Sequence, residues 1–582
     1  MKKIISLVLV VLIIFTAVDA PIFAVESNSI LNELDSTIQT MIDNGKSKGA
    51  VLSIVKDGEI QLSKGYGFAD EYLGYAADGD KTAFRIGSVS KTFVAVAAQI
   101  LREEGRLNMN SDISVYVESN FPKLNYPVTM QQLLTHTAGF EDMVTGIAVY
   151  NVSDTEPLAV SVRKYLPGQI YIPGEVVSYS NYGIALAAYV IECITNQDFA
   201  EYCEEQIFKP LDMNKTTFKY MHDIVYVSKP YLPNANETIE PYMNLYPEGS
   251  AVSTGEDMAK YMLWLLNDDD TRILSQNSKK ELFNKQFTMS EELEGIGYIW
   301  NRKSRNNNMV YEKKGETLNF YTRIALYPQE KAGIFLSFNT FVPEHEIDAI
   351  INKATNLLYG EKKEYHSEYG KSTINIKGLY VNNWSSFKTP EKILRYLIPG
   401  KIIYINEKDN SYYINGERMT LIGEDMYSSN LGLLKFQNKD SKIIMATESA
   451  ITYVKVPLLQ HAIIQLLVPI IFIAITSAVF IKEIILMLRK KNKIRNYTLI
   501  LNSLFQIISF FILVMLMYKG IADFSLLKLA PYMKFCGWLM LATVVSNIIF
   551  MKKNNCLRKL SSTVWVLSGI LFSTWIFWFN II

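Results

Sequence analysis

The sequence predicts an α+β domain, then a small β-rich module, then four membrane-spanning helices. Three observations carry this. Strand-like runs lie at both ends of the first 360 residues, with helical periodicity between them. Apolar and polar residues alternate strongly from about 365 to 455. Four long apolar runs follow Val456.

The first element is MKKIISLVLVVLIIFTAVDA. Lys2 and Lys3 precede an apolar run from Ile4 to Val18, and small residues at Ala20 or Ala24 offer cleavage points. Residues 1–24 therefore read as a signal peptide or an uncleaved anchor, and the domain at 25–360 as exported. A helix is expected over about Ile30–Asn44. In GAVLSIVKDGEIQLSKGYG, Asp57-Gly58 marks a hairpin between two strands. Helical periodicity dominates at about 91–140 and 181–209. Strand-like runs return at 309–313, 320–327 and 332–338, so the first and last strands are expected to share one sheet.

The accessory module, 361–455, carries the hairpin signal Asn415-Gly416 and no catalytic constellation. In the membrane part, 456–582, the expected spans are Pro457–Ile481, Tyr497–Tyr518, Tyr532–Met551 and Ser561–Ile582. The loop after the first span holds Arg489, Lys490, Lys491, Lys493 and Arg495. The loop after the third holds Lys552, Lys553, Arg558 and Lys559. The positive-inside rule places both loops in the cytoplasm and residues 25–455 outside. A lipid bilayer is thus one expected partner.

Composition excludes little else. The 58 basic and 58 acidic residues balance, so no charge bias points to nucleic acid. Of the four cysteines, Cys193 and Cys203 read as buried thiols in helical sequence rather than a disulfide. The histidines at 136, 222, 345, 366 and 461 show no metal-ligand spacing. No metal or organic cofactor is implied.

The chemistry candidates begin at FRIGSVSKTF. Ser88 and Lys91 stand three residues apart at an expected helix start, which puts their Cβ atoms about 5–6 Å apart. The helix N-terminus favours negative charge on Ser88 and is expected to push a buried Lys91 towards its neutral form. Ser-x-x-Lys alone is weak, because the chain has five: Ser53–Lys56, Ser88–Lys91, Ser161–Lys164, Ser385–Lys388 and Ser525–Lys528. In SYSN, Tyr179 and Asn181 are two apart and point the same way in an extended segment. In YEKKGETLNF, Lys313 can meet an anionic group, and Gly315 allows a substrate backbone to approach the strand edge.

These stretches, in this order, resemble the motifs of the serine β-lactamase and penicillin-binding-protein superfamily, above all its class C β-lactamase-like branch. LLTHTAGF (133–140) and PEGSAVSTGEDMAKYM (247–262) resemble further signatures of it, over about residues 30–358. The resemblance implies an antiparallel sheet flanked by helices, an all-α subdomain, and a cleft between them. It implies Ser88 as acylated nucleophile, Lys91 as its proton partner, Tyr179 as proton shuttle and Asn181 as holder of the substrate amide. Lys313 would face a substrate carboxylate or tune the tyrosine. The oxyanion donors would be the backbone N–H groups of Ser88 and Glu316, and His136 would be structural. Lys314, Glu316 and Asn319 depart from the common pattern and are expected to shape specificity. The implied activity is acyl transfer on a peptide, amide or ester, related to D-amino acids or the cell wall. The alternatives are a prodrug-activating D-amino peptidase of a peptide-antibiotic pathway, a β-lactamase, and a non-catalytic cell-wall or β-lactam sensor.

Overall fold

The computed structural model describes residues 20–220, 223–233, 236–305, 308–360, 371–439, 441–449, 451–489, 493–553 and 560–581. The apolar N-terminal run and most of the two basic loops lie outside the described residues.

The expected hairpin forms. Strands β1 (Gly49–Lys56) and β2 (Glu59–Asp70) join at Asp57 and Gly58, with φ of 52° and 86°. Positive φ at both positions matches the twist of the flanking strands. Strands β3 (Asn301–Arg305), β4 (Asn308–Glu316), β5 (Tyr321–Tyr327) and β6 (Ala332–Phe338) complete the sheet. Its order is β2-β1-β6-β5-β4-β3, with the short strand Tyr75–Ala76 outside β2. β1 pairs antiparallel with β6, Ala50 opposite Phe338 and Lys56 opposite Ala332. The two ends of the domain sequence therefore meet in the sheet centre, as the strand-like runs imply.

Both sheet faces are covered. Ala50, Leu52 and Ile54 pack with helices α1 (Ala20–Asp43) and α5 (Glu344–Tyr359), through Ile38, Ile347 and Ile351. Val51 and Val55 join the larger core on the other face, with α2 (Lys91–Glu103), α3 (Asn181–Thr195) and α4 (Gly255–Leu266). Every residue of α2 from Lys91 to Leu101 is buried. A helix buried on all sides is a core element, and burial of a side chain such as Phe93 contributes about 1.5–3 kcal/mol. The expected helicity at 91–140 is shorter in fact: Gly105, at φ 70°, ends it, and only Met130–Leu134 is α-helical beyond. At 181–209 the break falls at left-handed Asn196, and Asp198 caps a second helix through the Ala200 and Glu201 N–H groups. Cys193 is partly exposed and Cys203 buried, both as free thiols.

The β-rich segment forms one nine-stranded antiparallel sheet between Gly378 and Val456. The sheet's two edge strands, Glu417–Arg418 and Thr420–Gly423, are separated only by Met419. The sheet therefore curls until its edges meet, around Tyr380, Ile405, Phe436 and Met445.

Among the described residues, three helices are long and apolar enough to cross a membrane: α6 (Ala462–Leu488), α7 (Lys493–Ala522, apolar from Tyr497) and α8 (Leu526–Lys553). The fourth expected span is corrected. Helix α9 (Leu560–Trp578) stops short of Ile582, and its described apolar stretch, Thr563–Trp578, falls below the length of a span. Large side chains such as Phe511, Phe535 and Ile470 face outward from this bundle.

Candidate active site

Thr82–Arg85, a short strand, leads into the 3-10 turn Gly87–Ser90 from which α2 continues. Gly87 sits at φ 50°, and a Cβ there would lie 2.6 Å from the Glu316 backbone nitrogen. A Cβ on Gly315 would lie 2.0 Å from the Ile86 carbonyl oxygen. Both glycines are needed for the end of β4 to press against the Ser88 turn. The Glu316 N–H is thereby brought beside Ser88.

The side chains converge on Ser88. Its Oγ accepts from Lys91 Nζ at 2.7 Å and from the Tyr179 hydroxyl at 2.8 Å. Lys91 lies over the Tyr179 ring at 5.3 Å from its centroid, and Lys313 at 5.0 Å. Ser90 takes no part: its Oγ is buried and accepts from the Ala251 N–H at 3.1 Å. Tyr179 and Asn181 do not cap α3; Ser180 does, accepting from the Gly183 N–H at 3.0 Å. Asn181 Oδ1 is buried without a hydrogen-bond partner among the described residues. His136 packs its ring 4.3 Å from that of Tyr179 and accepts from the Ser180 N–H through Nδ1.

One residue was not foreseen. Glu248 is buried and forms an ion pair with Lys91 at 2.6 Å, and its backbone carbonyl accepts a second Lys91 bond. Antiparallel pairing of Phe84 with Ser253 and Arg85 with Val252 carries Glu248 to this place. The expectation of a neutral-leaning Lys91 is therefore corrected. Burial opposes its charge, but the Glu248 carboxylate and Tyr179 overcome this and raise its pKa above the ordinary lysine value. Lys313 behaves oppositely. It is buried, lacks an ion pair among the described residues, and faces the Lys91 charge, so its pKa falls well below the usual value. Burial raises the Tyr179 pKa against the pull of Lys91.

The three residues expected to shape specificity separate. Glu316 is exposed at the end of β4. Asn319 is buried and donates to Glu240 at 2.9 Å. Lys314 points to the opposite sheet face, where it pairs with Glu344 of α5, so it does not line the cleft.

A sheet with helices on both faces and a cleft that gathers Ser-x-x-Lys, Tyr-x-Asn and Lys-x-Gly motifs define a β-lactamase/transpeptidase fold. Comparison with known proteins agrees. Residues 34–356 match the family model described as Beta-lactamase, and the chain belongs to that family. Protein flp of Staphylococcus aureus (strain N315) is 29% identical over 376 residues, which span 61% of this chain and 74% of that protein. Among solved structures, the octameric penicillin-binding protein homologue from Pyrococcus abyssi aligns at TM-score 0.50 and 21% identity, over 73% of this chain and 100% of its own. SurE aligns at TM-score 0.53 and 14% identity, over 74% and 100%. Both show the fold.

Proposed function

We propose that the chain is a membrane-held serine hydrolase that forms an acyl-enzyme at Ser88, with its catalytic part outside the cytoplasm. The observation that carries this is the Ser88 oxygen, bonded at once by the Lys91 ammonium and the Tyr179 hydroxyl. A nucleophile between two such groups, next to a pair of backbone N–H donors, is equipped for acyl transfer.

Because Glu248 keeps Lys91 charged, Lys91 serves as the electrostatic partner of the attacking oxygen. The Ser88 proton passes to the Tyr179 oxygen as the Oγ–carbonyl bond forms, while the phenol hands its own proton on towards the leaving group. The carbonyl electron pair moves to the oxygen facing the Ser88 and Glu316 N–H groups. Proton return to the leaving group expels it, and water or another acceptor then releases the acyl group. Asn181, whose side-chain oxygen is buried without a hydrogen-bond partner among the described residues, is read as the acceptor for a donor on the substrate amide. Exposed Glu316 and a neutral-leaning Lys313 favour an uncharged peptide, amide or ester over one ending in a free carboxylate. The three long apolar helices support membrane holding, and the basic loops support the orientation.

The test is labelling of the full chain in detergent with a fluorescent fluorophosphonate and a fluorescent β-lactam. Wild type is expected to take label and Ser88→Ala to take none. A folded wild type that takes neither probe would favour the sensor reading. Product analysis on D-amino-acid peptides and esters then separates the substrate classes.

A further inference from the structure

The loop segment bearing Tyr179 is held from two sides, and one side lies outside the family-matched region 34–356. On the domain's own side, the Ser178 N–H donates to the His136 carbonyl at 2.8 Å. On the other side stands the β-rich module. Thr452 Oγ1 donates to the Val177 carbonyl at 2.9 Å. Ser178 Oγ donates to the Asn383 carbonyl at 3.1 Å, and the Tyr171 hydroxyl donates to Asn383 Oδ1 at 2.8 Å. Asn383 in turn donates to Thr452. The next residue, Trp384, packs edge-on against the Tyr179 ring at 5.0 Å between centroids.

Trp384 is itself clamped. Lys401 Nζ lies 3.7 Å from its ring centroid, donates to its carbonyl, and pairs with Asp142 at 3.6 Å. The Asp142 N–H donates to the Ser385 carbonyl, and Glu141 accepts from the Phe387 and Lys388 N–H groups at 2.6 and 2.9 Å. Side chains from two folding units thus interlock next to the nucleophile. A mere tether would need no contact with the ring of Tyr179.

We propose that the β-rich module completes the active site, with Trp384 and Asn383 as positioning residues that hold Tyr179 against Ser88. This rests on the acyl-transfer reading above. Trp384 also excludes water from one side of the phenol. The groups facing that phenol are Ser88, Lys91 and Glu248 from the nucleophile side, Lys313 from β4 and His136 from the turn after Met130–Leu134; Lys401 and Asp142 stand behind Trp384. Removing the indole hydrates the phenol and lets its raised pKa fall.

The experiment is the fluorophosphonate labelling rate of the full chain in detergent across pH. Trp384→Ala is expected to label roughly 10- to 100-fold more slowly, the range a displaced catalytic group produces. Its alkaline limb should move to lower pH, and Trp384→Phe should recover most of the rate. Thr452→Val, which deletes the bond to Val177 and keeps the side-chain shape, should shift both readouts in the same direction by less, and it serves if Trp384→Ala does not fold. Wild-type rate and profile in Trp384→Ala, while Ser88→Ala abolishes labelling, would overturn the proposal and leave the enzyme reading intact. A slower Trp384→Ala with an unmoved profile and no recovery by phenylalanine would reduce Trp384 to packing and equally overturn it. A wild type without label overturns the acyl-transfer reading and this one with it.

Discussion

Strand β4 carries two buried charge clusters, one on each face, and they are built on opposite plans. On the face away from the cleft, Glu312 meets Lys303 at 2.8 Å and Arg323 at 3.3 Å, and Arg323 meets Asp348 at 2.8 Å. Each charge there has a countercharge. The cleft face holds Lys91 with Glu248, but among the described residues Lys313 has no ion pair, and Glu248 Oε1 and Asn181 Oδ1 are buried without partners. Buried charges that are all paired are structure. Buried polar groups left open next to a nucleophile are capacity for a substrate and a proton. Burial of charge is common to both faces and does not by itself mark a site.

The strongest way to break this contrast is Lys91→Ala. It removes the ammonium from the Ser88 oxygen and leaves Glu248 with an unpaired carboxylate. Labelling should fall by about 10²–10³-fold, the range for loss of one positioned electrostatic donor. The thermal transition should remain cooperative. Near-normal turnover would remove Lys91 from the chemistry.

On the opposite face, Glu312→Gln should read out in stability instead. Burial works against the Glu312 charge, but Lys303 and Arg323 outweigh it and bring its pKa down to about 2. A depressed carboxylate stabilises the fold above its unfolded pKa and loses that contribution as pH falls from about 4.5 to about 2. The variant should lose about 3 kcal/mol at neutral pH, the low end for a broken buried pair, since Arg323 keeps Asp348. It should also flatten the acid limb of denaturation midpoints, with labelling of the folded fraction unchanged.

How much of this was legible beforehand follows the range of the signals. Asp57-Gly58, the Ser88–Lys91 offset and the Tyr179–Asn181 spacing act over a few residues; the first turns the hairpin, and the structure joins Ser88, Lys91 and Tyr179. Glu248 lies 157 residues from Lys91, and no local pattern joins them. It lies in PEGSAVST, part of a stretch that resembles a family signature with no role attached to its carboxylate. Trp384 belongs to a module that looked chemically empty because its contribution is a ring edge. Lys314 was misplaced for a different reason: side chains alternate along a strand, so if Lys313 faces the cleft its neighbour cannot. The fourth expected span differs at its ends, where α9 runs Leu560–Trp578 with a described apolar stretch of Thr563–Trp578, and an apolar count does not fix ends.

Glu248→Gln sharpens the cleft side. Without the carboxylate, burial dominates at Lys91 and its pKa falls. The limb of the pH–rate profile set by the ammonium should move to lower pH. Beyond it, each further unit of pH lowers the ammonium fraction about tenfold. An unmoved limb would mean that Glu248 only packs.

The smallest effect is expected from Lys314→Ala, and its smallness is informative. Lys313 and Lys314 are chain neighbours of identical chemistry, so they differ only in the face they occupy. Lys313 lies over the Tyr179 ring, whereas Lys314 pairs with Glu344, with side chains that are partly exposed. An exposed pair of this kind contributes about 0–1 kcal/mol. Lys314→Ala should therefore leave the labelling rate within about twofold, a change worth less than that ion pair. Lys313→Ala, measured beside it, should slow labelling clearly and alter its pH dependence, because it removes the neutral-leaning amine next to the phenol. Equal effects of the two substitutions would mean that β4 does not divide the molecule into a paired face and an open one.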